Sequence, residues 1–184
     1  MKKAIFAIVF TFFTFTETFA VKYNSDPKIF IEELVNDALK TLGDKGINKQ
    51  DKAKVIKKIA LENVDIYALG LYTLGDIRKS LDKSVLDKYN KLFESYFLKS
   101  LTARLTEYSQ SKFEIIGADQ KNAKYTIVNS KITENTNQLE IKIDWRVYTK
   151  DPSKPLIRDL IVEGLSLAKT QKEEFSSILN SNNN

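Results

Sequence analysis

The side chains that could carry out chemistry in this chain are carboxylates that lie close to arginines. Asp144 is near Arg146, Asp159 follows Arg158 directly, and Glu163 comes shortly afterwards. Two carboxylates with different pKa values could act as a general acid and a general base. The 184 residues include no histidine and no cysteine, which excludes a Ser-His-Asp triad, a Cys-His pair, a disulfide and any imidazole or thiolate metal site. The composition therefore favours binding over catalysis.

A structural role explains these carboxylates more simply. Residues 139–148 alternate between apolar and polar side chains, which is typical of a strand with one dry and one wet face. The alternation places Glu140 and Asp144 opposite the apolar side chains, so neither is expected to face an apolar cavity. Glu163 precedes Gly164 at a predicted strand-to-helix junction, where it is expected to cap the last helix or to accept a hydrogen bond from a neighbouring turn.

The first twenty residues have the pattern of an export signal. Two lysines precede an almost wholly apolar run from Ala4 to Phe15, and residues 18–20 offer a small-x-small cleavage site. The run is short for a transmembrane helix, which needs about 20 residues. We therefore predict a signal peptide over residues 1–20 and a single exported domain over 21–184, with a frayed polar tail at 181–184.

Charge and composition also narrow the class of partner. The formal net charge is +5, and the lysines between Lys79 and Lys91 alternate with acidic residues, so no continuous basic stripe for nucleic acid is present. An exported chain without cysteines or N-x-Ser/Thr sequons fits a bacterial periplasm. We expect a periplasmic monomer with no nucleic-acid partner and no metal.

The elements that must position these residues follow from periodicity. Apolar residues recur at helical spacing after Asp26, Asn48 and Asp65, which are residue types that cap helices, and a longer helix runs from near Asp82 to about Tyr108. A period of two then predicts four strands, near 113–115 and over 124–132, 139–148 and 156–163, before a last helix over 166–179. Consecutive strands with short connections form an antiparallel sheet, so the fold class is α+β.

Large apolar side chains are concentrated on two consecutive helices and on one face of the predicted sheet. The aromatic residues of these helices are Tyr67, Tyr72, Tyr89, Phe93, Tyr96, Phe97 and Tyr108. The same residue types fill a solid core and line a cavity for an apolar ligand, so the pattern leaves both possibilities open.

Several segments resemble the MlaC (toluene-tolerance) family. The strongest likeness begins at Trp145-Arg146-Val147, continues through IRDLIVEGLSL at 157–167, and ends in KTQKEEFSSI at 169–178. The segment VDIYALG at 64–70 and the long fourth helix are similar to the family as well. The resemblance extends from about Asp26 to Leu179, nearly the whole predicted mature chain.

The resemblance implies a curved four-stranded antiparallel sheet that packs against several helices and encloses an apolar cavity. It also implies a soluble periplasmic phospholipid carrier of the system that maintains outer-membrane lipid asymmetry, with phospholipid as cargo, no cofactor and no enzymatic activity. The implied partners are an outer-membrane MlaA-type lipoprotein complex and an inner-membrane MlaFEDB-type ABC transporter with an MCE-domain subunit. The acyl chains would be buried between sheet and helices.

The expected lipid contacts follow the dry faces of the predicted elements. They are Leu71, Leu74, Phe93, Phe97, Leu101 and Leu105 on the helices, and Ile141, Ile143, Trp145, Val147, Leu160 and Val162 on the sheet. Replacing Leu101 or Val147 with Asp or a bulkier residue is expected to reduce bound lipid without unfolding the protein. Two alternatives stay open: an exported interaction module with a solid core, whose aromatic helix docks a partner, and a carboxylate-based enzyme on a cone-shaped α+β fold.

Overall fold

The described part of the chain consists of helices on both sides of an antiparallel sheet. The computed structural model describes residues 22–105, 111–133 and 139–181; the predicted signal peptide and the predicted end of the fourth helix near Tyr108 lie outside them. The helices are α1 (Pro27–Gly43), α2 (Lys49–Asn63), α3 (Ile66–Thr73), α4 (Lys83–Leu105) and α5 (Leu167–Ser181), with a 3-10 turn at Gly75–Lys79 between α3 and α4. The strands are β1 (Lys112–Asn122), β2 (Tyr125–Thr133), β3 (Glu140–Tyr148), β4 (Leu156–Val162) and β5 (Leu165–Ser166).

The first three helices begin at the predicted capping residues. The Asp26 side chain accepts hydrogen bonds from two backbone N–H groups of α1, Asn48 accepts one from α2, and Asp65 accepts one from α3. Each side chain satisfies N–H groups that have no partner inside the helix. The three predicted caps are confirmed.

The sheet is antiparallel throughout, with its strands in sequence order from β1 to β5. The predicted α+β class is confirmed, and the predicted count of four strands is corrected to five. The fifth arises because Glu163 and Gly164 have positive φ angles of 48° and 81°, which reverse the chain and pair Leu165 and Ser166 with β4. Glu163 does not cap α5; its carboxylate accepts a hydrogen bond from the backbone N–H of Lys142 on β3 at 2.5 Å.

One face of the sheet, here called the apolar face, is covered by α1. Its core consists of Phe30, Ile31, Leu34 and Val35 from α1 with Val128, Trp145, Val147 and Ile157 from the strands. The Trp145 indole donates a hydrogen bond to the Ser130 hydroxyl at 2.8 Å, and that hydroxyl donates to the Ile143 carbonyl at 2.8 Å. The polar groups in this core therefore have partners, as burial requires.

The opposite face, here called the polar face, lies beneath α3 and α5. These two helices and α4 form a helical layer with a core of its own, in which Phe93 is central. Its ring stacks on Phe97 at 6.3 Å and on Tyr89 at 6.0 Å, and it meets Phe175 of α5 edge-on at 6.3 Å. Leu69 of α3 is buried in the same cluster. The aromatic contacts join the three helices into one packed unit.

None of the helices in the described ranges combines the length and the apolar character that a membrane span needs.

Candidate functional site

A cavity of about 740 Å³, widely open to solvent on one side, lies between the polar face of the sheet and helices α3 and α5. Its lining consists of Ala68, Leu69, Tyr72, Lys121, Asn122, Tyr125, Ile127, Asn129, Asp144, Arg146, Arg158, Ile161 and Ala168. Of these, Tyr72, Lys121, Asn122 and Arg146 are exposed and mark the mouth, whereas the others are buried or half-buried. The cavity has the size of a site for a small organic molecule or part of a lipid.

Gly70 lets α3, which forms one wall of the cavity, pack closely against α4. A Cβ atom added to Gly70 would lie 2.7 Å from the Asn90 side-chain oxygen and 3.0 Å from a ring carbon of Phe93. The bare backbone of Gly70 therefore lets α3 pack tightly on α4, and the adjacent residues Ala68, Leu69 and Tyr72 turn toward the sheet. Two of the three are small or aliphatic, so this wall is largely apolar.

The strand register determines which side chains form the floor of the cavity. Ile127 of β2, Arg146 of β3 and Asp159 of β4 are paired in one row, and Asn129, Asp144 and Ile161 in the next. The Asn129 amide donates a hydrogen bond to the Asp144 carboxylate at 2.8 Å. An apolar side chain therefore stands in each row of an otherwise polar floor.

Arg158 joins the sheet to the beginning of α3. Its Nε and Nη2 atoms lie 2.8 and 2.7 Å from the Asp65 carboxylate, and its Nη1 donates to the Tyr125 hydroxyl at 3.0 Å. The guanidinium carbon lies 3.4 Å from the centre of the Tyr148 ring. Burial acts to lower the pKa of Arg158, but the hydrogen bonds to Tyr125 and Asp65 outweigh it and raise that pKa. We call the Asp65–Arg158 pair the first tether.

A bulge in β4 explains why Arg158 reaches this position. Arg146 pairs with Asp159 while Val147 pairs with Ile157, so Arg158 is the extra residue between two paired positions. A bulge interrupts strict alternation, and the side chain of the extra residue can then share a face with its neighbour. Arg158 consequently lies on the polar face next to Asp159, although the two are consecutive in the chain.

Asp159 joins the sheet to the beginning of α5. The residue is only 3% exposed, and its two carboxylate oxygens accept hydrogen bonds from the Ser166 hydroxyl at 2.7 Å and the Ala168 backbone N–H at 3.0 Å. The Ser166 hydroxyl in turn accepts from the Lys169 backbone N–H at 3.0 Å, which is the geometry of a helix N-cap. We call this contact the second tether; the cavity lies between the two.

The structure places the twelve expected lipid contacts elsewhere. The six from the sheet, Ile141, Ile143, Trp145, Val147, Leu160 and Val162, lie on the apolar face that α1 covers. Among the six from the helices, Phe93, Phe97 and Leu101 belong to the core of the helical layer, Leu74 is buried, and Leu71 and Leu105 are half-buried. None of the twelve is among the described residues that line the cavity. Their contact with lipid stays a prediction, and it would require these cores to open.

The expectation that Asp144 would face away from a cavity is wrong. The alternation along β3 was interpreted correctly, but the cavity lies on the polar face, where Asp144 is part of the lining. Glu140 is paired with Lys131 at 3.0 Å. The strand pattern alone therefore gives no argument against an enzyme, and the choice between carrier and enzyme depends on other observations.

Within the ranges 22–105, 111–133 and 139–181, no group of carboxylates has the spacing of a metal site. The lining of the cavity offers two guanidinium groups, an amine, one carboxylate and two tyrosines on otherwise aliphatic and amide surroundings. Such a surface can hold an apolar body and bind an anionic group.

Comparison with known proteins agrees with this architecture. A search of curated proteins gives no match. Among solved structures, the fold is similar to that of a phospholipid-binding protein from Ralstonia solanacearum, solved in complex with a phospholipid. The TM-score is 0.69 at 19% identity, over 82% of this chain and 86% of that one. The family model described as MlaC protein matches residues 32–184, and the chain therefore belongs to the MlaC family.

Proposed function

We propose that this protein binds a phospholipid between its sheet and its helical layer and carries it between membranes. The observation that supports the proposal most directly is the cavity between α3, α5 and the sheet. It occurs in a fold shared with a protein whose structure contains a phospholipid. The interior of the cavity supplies Leu69, Ile127 and Ile161 as apolar surface beside polar groups that have partners, and the mouth supplies further polar groups.

The energetics of a lipid in water make such an enclosure necessary. A diacyl phospholipid has about thirty methylenes in its chains, and exposing each to water costs about 0.8 kcal/mol. Transfer with bare chains would therefore cost some 20 kcal/mol. Moving the chains from a bilayer onto apolar surface inside the protein replaces one apolar environment with another, so the net change in free energy is small and the exchange is reversible.

The polar groups inside the cavity are compatible with acyl chains because they have partners. The Asp144 carboxylate accepts a hydrogen bond from Asn129, and Arg158 is bound by Asp65 and Tyr125. A buried polar group that keeps its hydrogen bonds costs far less than one without them.

The cavity reaches the size of a two-chain lipid if the helical layer moves away from the sheet. The layer is packed internally through Phe93, whereas the first and second tethers join it to the polar face through Asp65, Arg158 and Asp159. We therefore expect α3 and α5 to separate from the sheet together, as one unit.

A reversible carrier needs partners to give it direction. We propose that an outer-membrane MlaA-type complex and an inner-membrane MlaFEDB-type transporter with an MCE-domain subunit exchange lipid with this protein in the periplasm. The export pattern at residues 1–20 supports that location. The protein itself acts as a carrier and not as an enzyme.

Lipid extraction of the purified protein tests the proposal. We expect phospholipid at close to one molecule per protein by mass spectrometry, and transfer of that lipid to acceptor vesicles without chemical change. A lipid-free extract that stays empty after incubation with phospholipid vesicles would contradict the carrier. Hydrolysed lipid in the vesicle assay would indicate an enzyme instead.

Filling the cavity should displace the lipid. Ala68→Trp adds an indole to the α3 wall, and we expect a several-fold loss of phospholipid per folded protein because the ring occupies the space of the acyl chains. Ala103→Trp is the matched control, since Ala103 is exposed on α4 outside the cavity. Unchanged lipid content in folded Ala68→Trp protein would place the acyl chains elsewhere.

A further inference from the structure

Two arginines of the cavity differ in the number and strength of their interactions with the rest of the protein. Arg158 has a carboxylate, a phenol and an aromatic ring as partners, and its side chain is 27% exposed. Arg146 is 45% exposed, and its contact with a carboxylate in the described part of the chain is a single one, from Nη1 to Asp159 at 3.6 Å. That distance is longer than a hydrogen bond. Both guanidinium groups lie on the floor of the cavity, and within the described part of the chain Arg146 uses fewer of its N–H donors than Arg158 does.

Asp159 does not depend on Arg146 for its hydrogen bonds. Both of its oxygens already accept from the second tether, through the Ser166 hydroxyl and the Ala168 backbone N–H. The Arg146 guanidinium has five N–H donors, and its planar fork matches the geometry of a phosphate or carboxylate. Arg146 can therefore bind an anion without leaving a buried acid unsatisfied.

Arg146 lies at the entrance of the cavity. Its side chain comes from the exposed part of the lining, together with Lys121 and Asn122 from the end of β1, while Ile127 lies beside it in the strand register. Lys121 forms an ion pair with Asp119 on the same exposed strand end. A molecule with an apolar body inside the cavity would place its polar end at these two cations.

Two carboxylates near Arg146 oppose an anion: Asp159, which lies 3.6 Å from the guanidinium, and Asp144 in the lining. Asp144 lies two residues before Arg146 on the same face of β3, about 7 Å along the strand. Its negative charge weakens the local attraction for an anion, and Asn129 keeps it hydrogen-bonded. Removing that charge should strengthen anion binding, whereas removing the Arg146 charge should weaken it.

We propose that Arg146 is the group that binds the phosphate of the lipid headgroup at the mouth of the cavity, with Lys121 adding charge and Asp144 limiting affinity. This inference rests on the proposed function and adds the anionic group of the ligand and the residue that binds it. Arg158 serves the structure instead, through the first tether.

The test compares two ligands with identical acyl chains, a phosphatidylglycerol and a diacylglycerol, each labelled on one chain and bound to delipidated full-length protein. We expect wild-type protein to prefer the phosphate-bearing ligand. Arg146→Gln should weaken its binding by about tenfold to a hundredfold, because a charge-assisted hydrogen bond is lost, and leave the diacylglycerol unchanged. Arg146→Lys keeps the charge and the pairing with Asp159. Its affinity for the phosphate-bearing ligand should lie between those of the wild type and Arg146→Gln. Asp144→Asn should bind the phosphate-bearing ligand more tightly.

The outcomes separate the inference from the proposed function. Equal loss of both ligands in folded Arg146→Gln and Arg146→Lys protein, or no preference for phosphate in the wild type, would overturn the role of Arg146 while lipid binding remains. Failure of wild-type protein to bind either ligand would contradict the carrier itself. Titration with inorganic phosphate alone forms a third arm: Arg146-dependent binding with no lipid present would assign the same anion site to free phosphate.

Discussion

Val147→Asp should unfold the protein instead of emptying it of lipid. Val147 is 0% exposed in the core between the sheet and α1, which also contains Phe30, Val128 and Trp145. None of these side chains is cationic, so none can neutralise a carboxylate, and the residue opposite Val147 on β2 is an uncharged threonine. Burying an unpaired charge costs on the order of 5 kcal/mol or more, and typical domains are stable by only about 5–15 kcal/mol. We expect loss of the cooperative unfolding transition, or a midpoint in urea reduced by at least half.

The matched control is Val85→Asp. Val85 is 46% exposed in the first turn of α4, where a carboxylate meets water and the positive end of the helix dipole. This variant should unfold at the same urea concentration as the wild type or slightly above it. A folded Val147→Asp protein that has lost its phospholipid would instead identify the apolar face as the lipid-binding face, as the dry-face pattern in the sequence suggests.

The elements were predictable because their signals are local. Asp26, Asn48 and Asp65 cap helices through N–H groups two or three residues away, so the chain itself carries the information. The alternation along β3 likewise depends only on neighbouring residues, and the register confirms that Trp145 and Val147 share one face.

The cavity was not predictable in the same way because its position depends on which helix covers which face. An apolar sheet face must be buried against another element, and here α1 buries it with Phe30, Ile31 and Leu34. The sequence pattern of α1 is equally compatible with packing elsewhere. With the apolar face filled, the open space lies on the polar face, where Asp144 was expected to face away from any cavity.

The β4 bulge was also invisible in the sequence. Strict alternation over residues 156–162 would place Arg158 and Asp159 on opposite faces, whereas the structure places both on the polar face. One signal was available: a charged pair, Arg158-Asp159, interrupts an otherwise apolar strand. Charged residues in the middle of a half-buried strand are costly unless they have partners. Such a pair therefore indicates tertiary contacts, in this case the two tethers.

Asp65→Ala should destabilise the protein and speed lipid exchange. Asp65 has two functions, since one oxygen caps α3 through the Ala68 backbone N–H at 3.1 Å and the other binds Arg158. Loss of a helix cap costs about 0.5–2 kcal/mol, and the half-buried guanidinium also loses its charged partner, so we expect a total of about 2–4 kcal/mol in urea unfolding. Because the first tether holds α3 to the sheet, transfer of lipid from protein to vesicles should become faster.

Asp65→Asn separates the two functions. Asparagine caps helices as well as aspartate does, so α3 keeps its beginning while the ion pair with Arg158 is lost. We expect about half of the stability loss of Asp65→Ala but most of its increase in transfer rate, since the rate depends on the tether and not on the cap. In a background that carries Arg158→Gln, Asp65→Asn should change neither quantity further, because the interaction is already absent. Transfer at the wild-type rate in folded Asp65→Asn protein would mean that lipid enters and leaves without separation of α3 from the sheet.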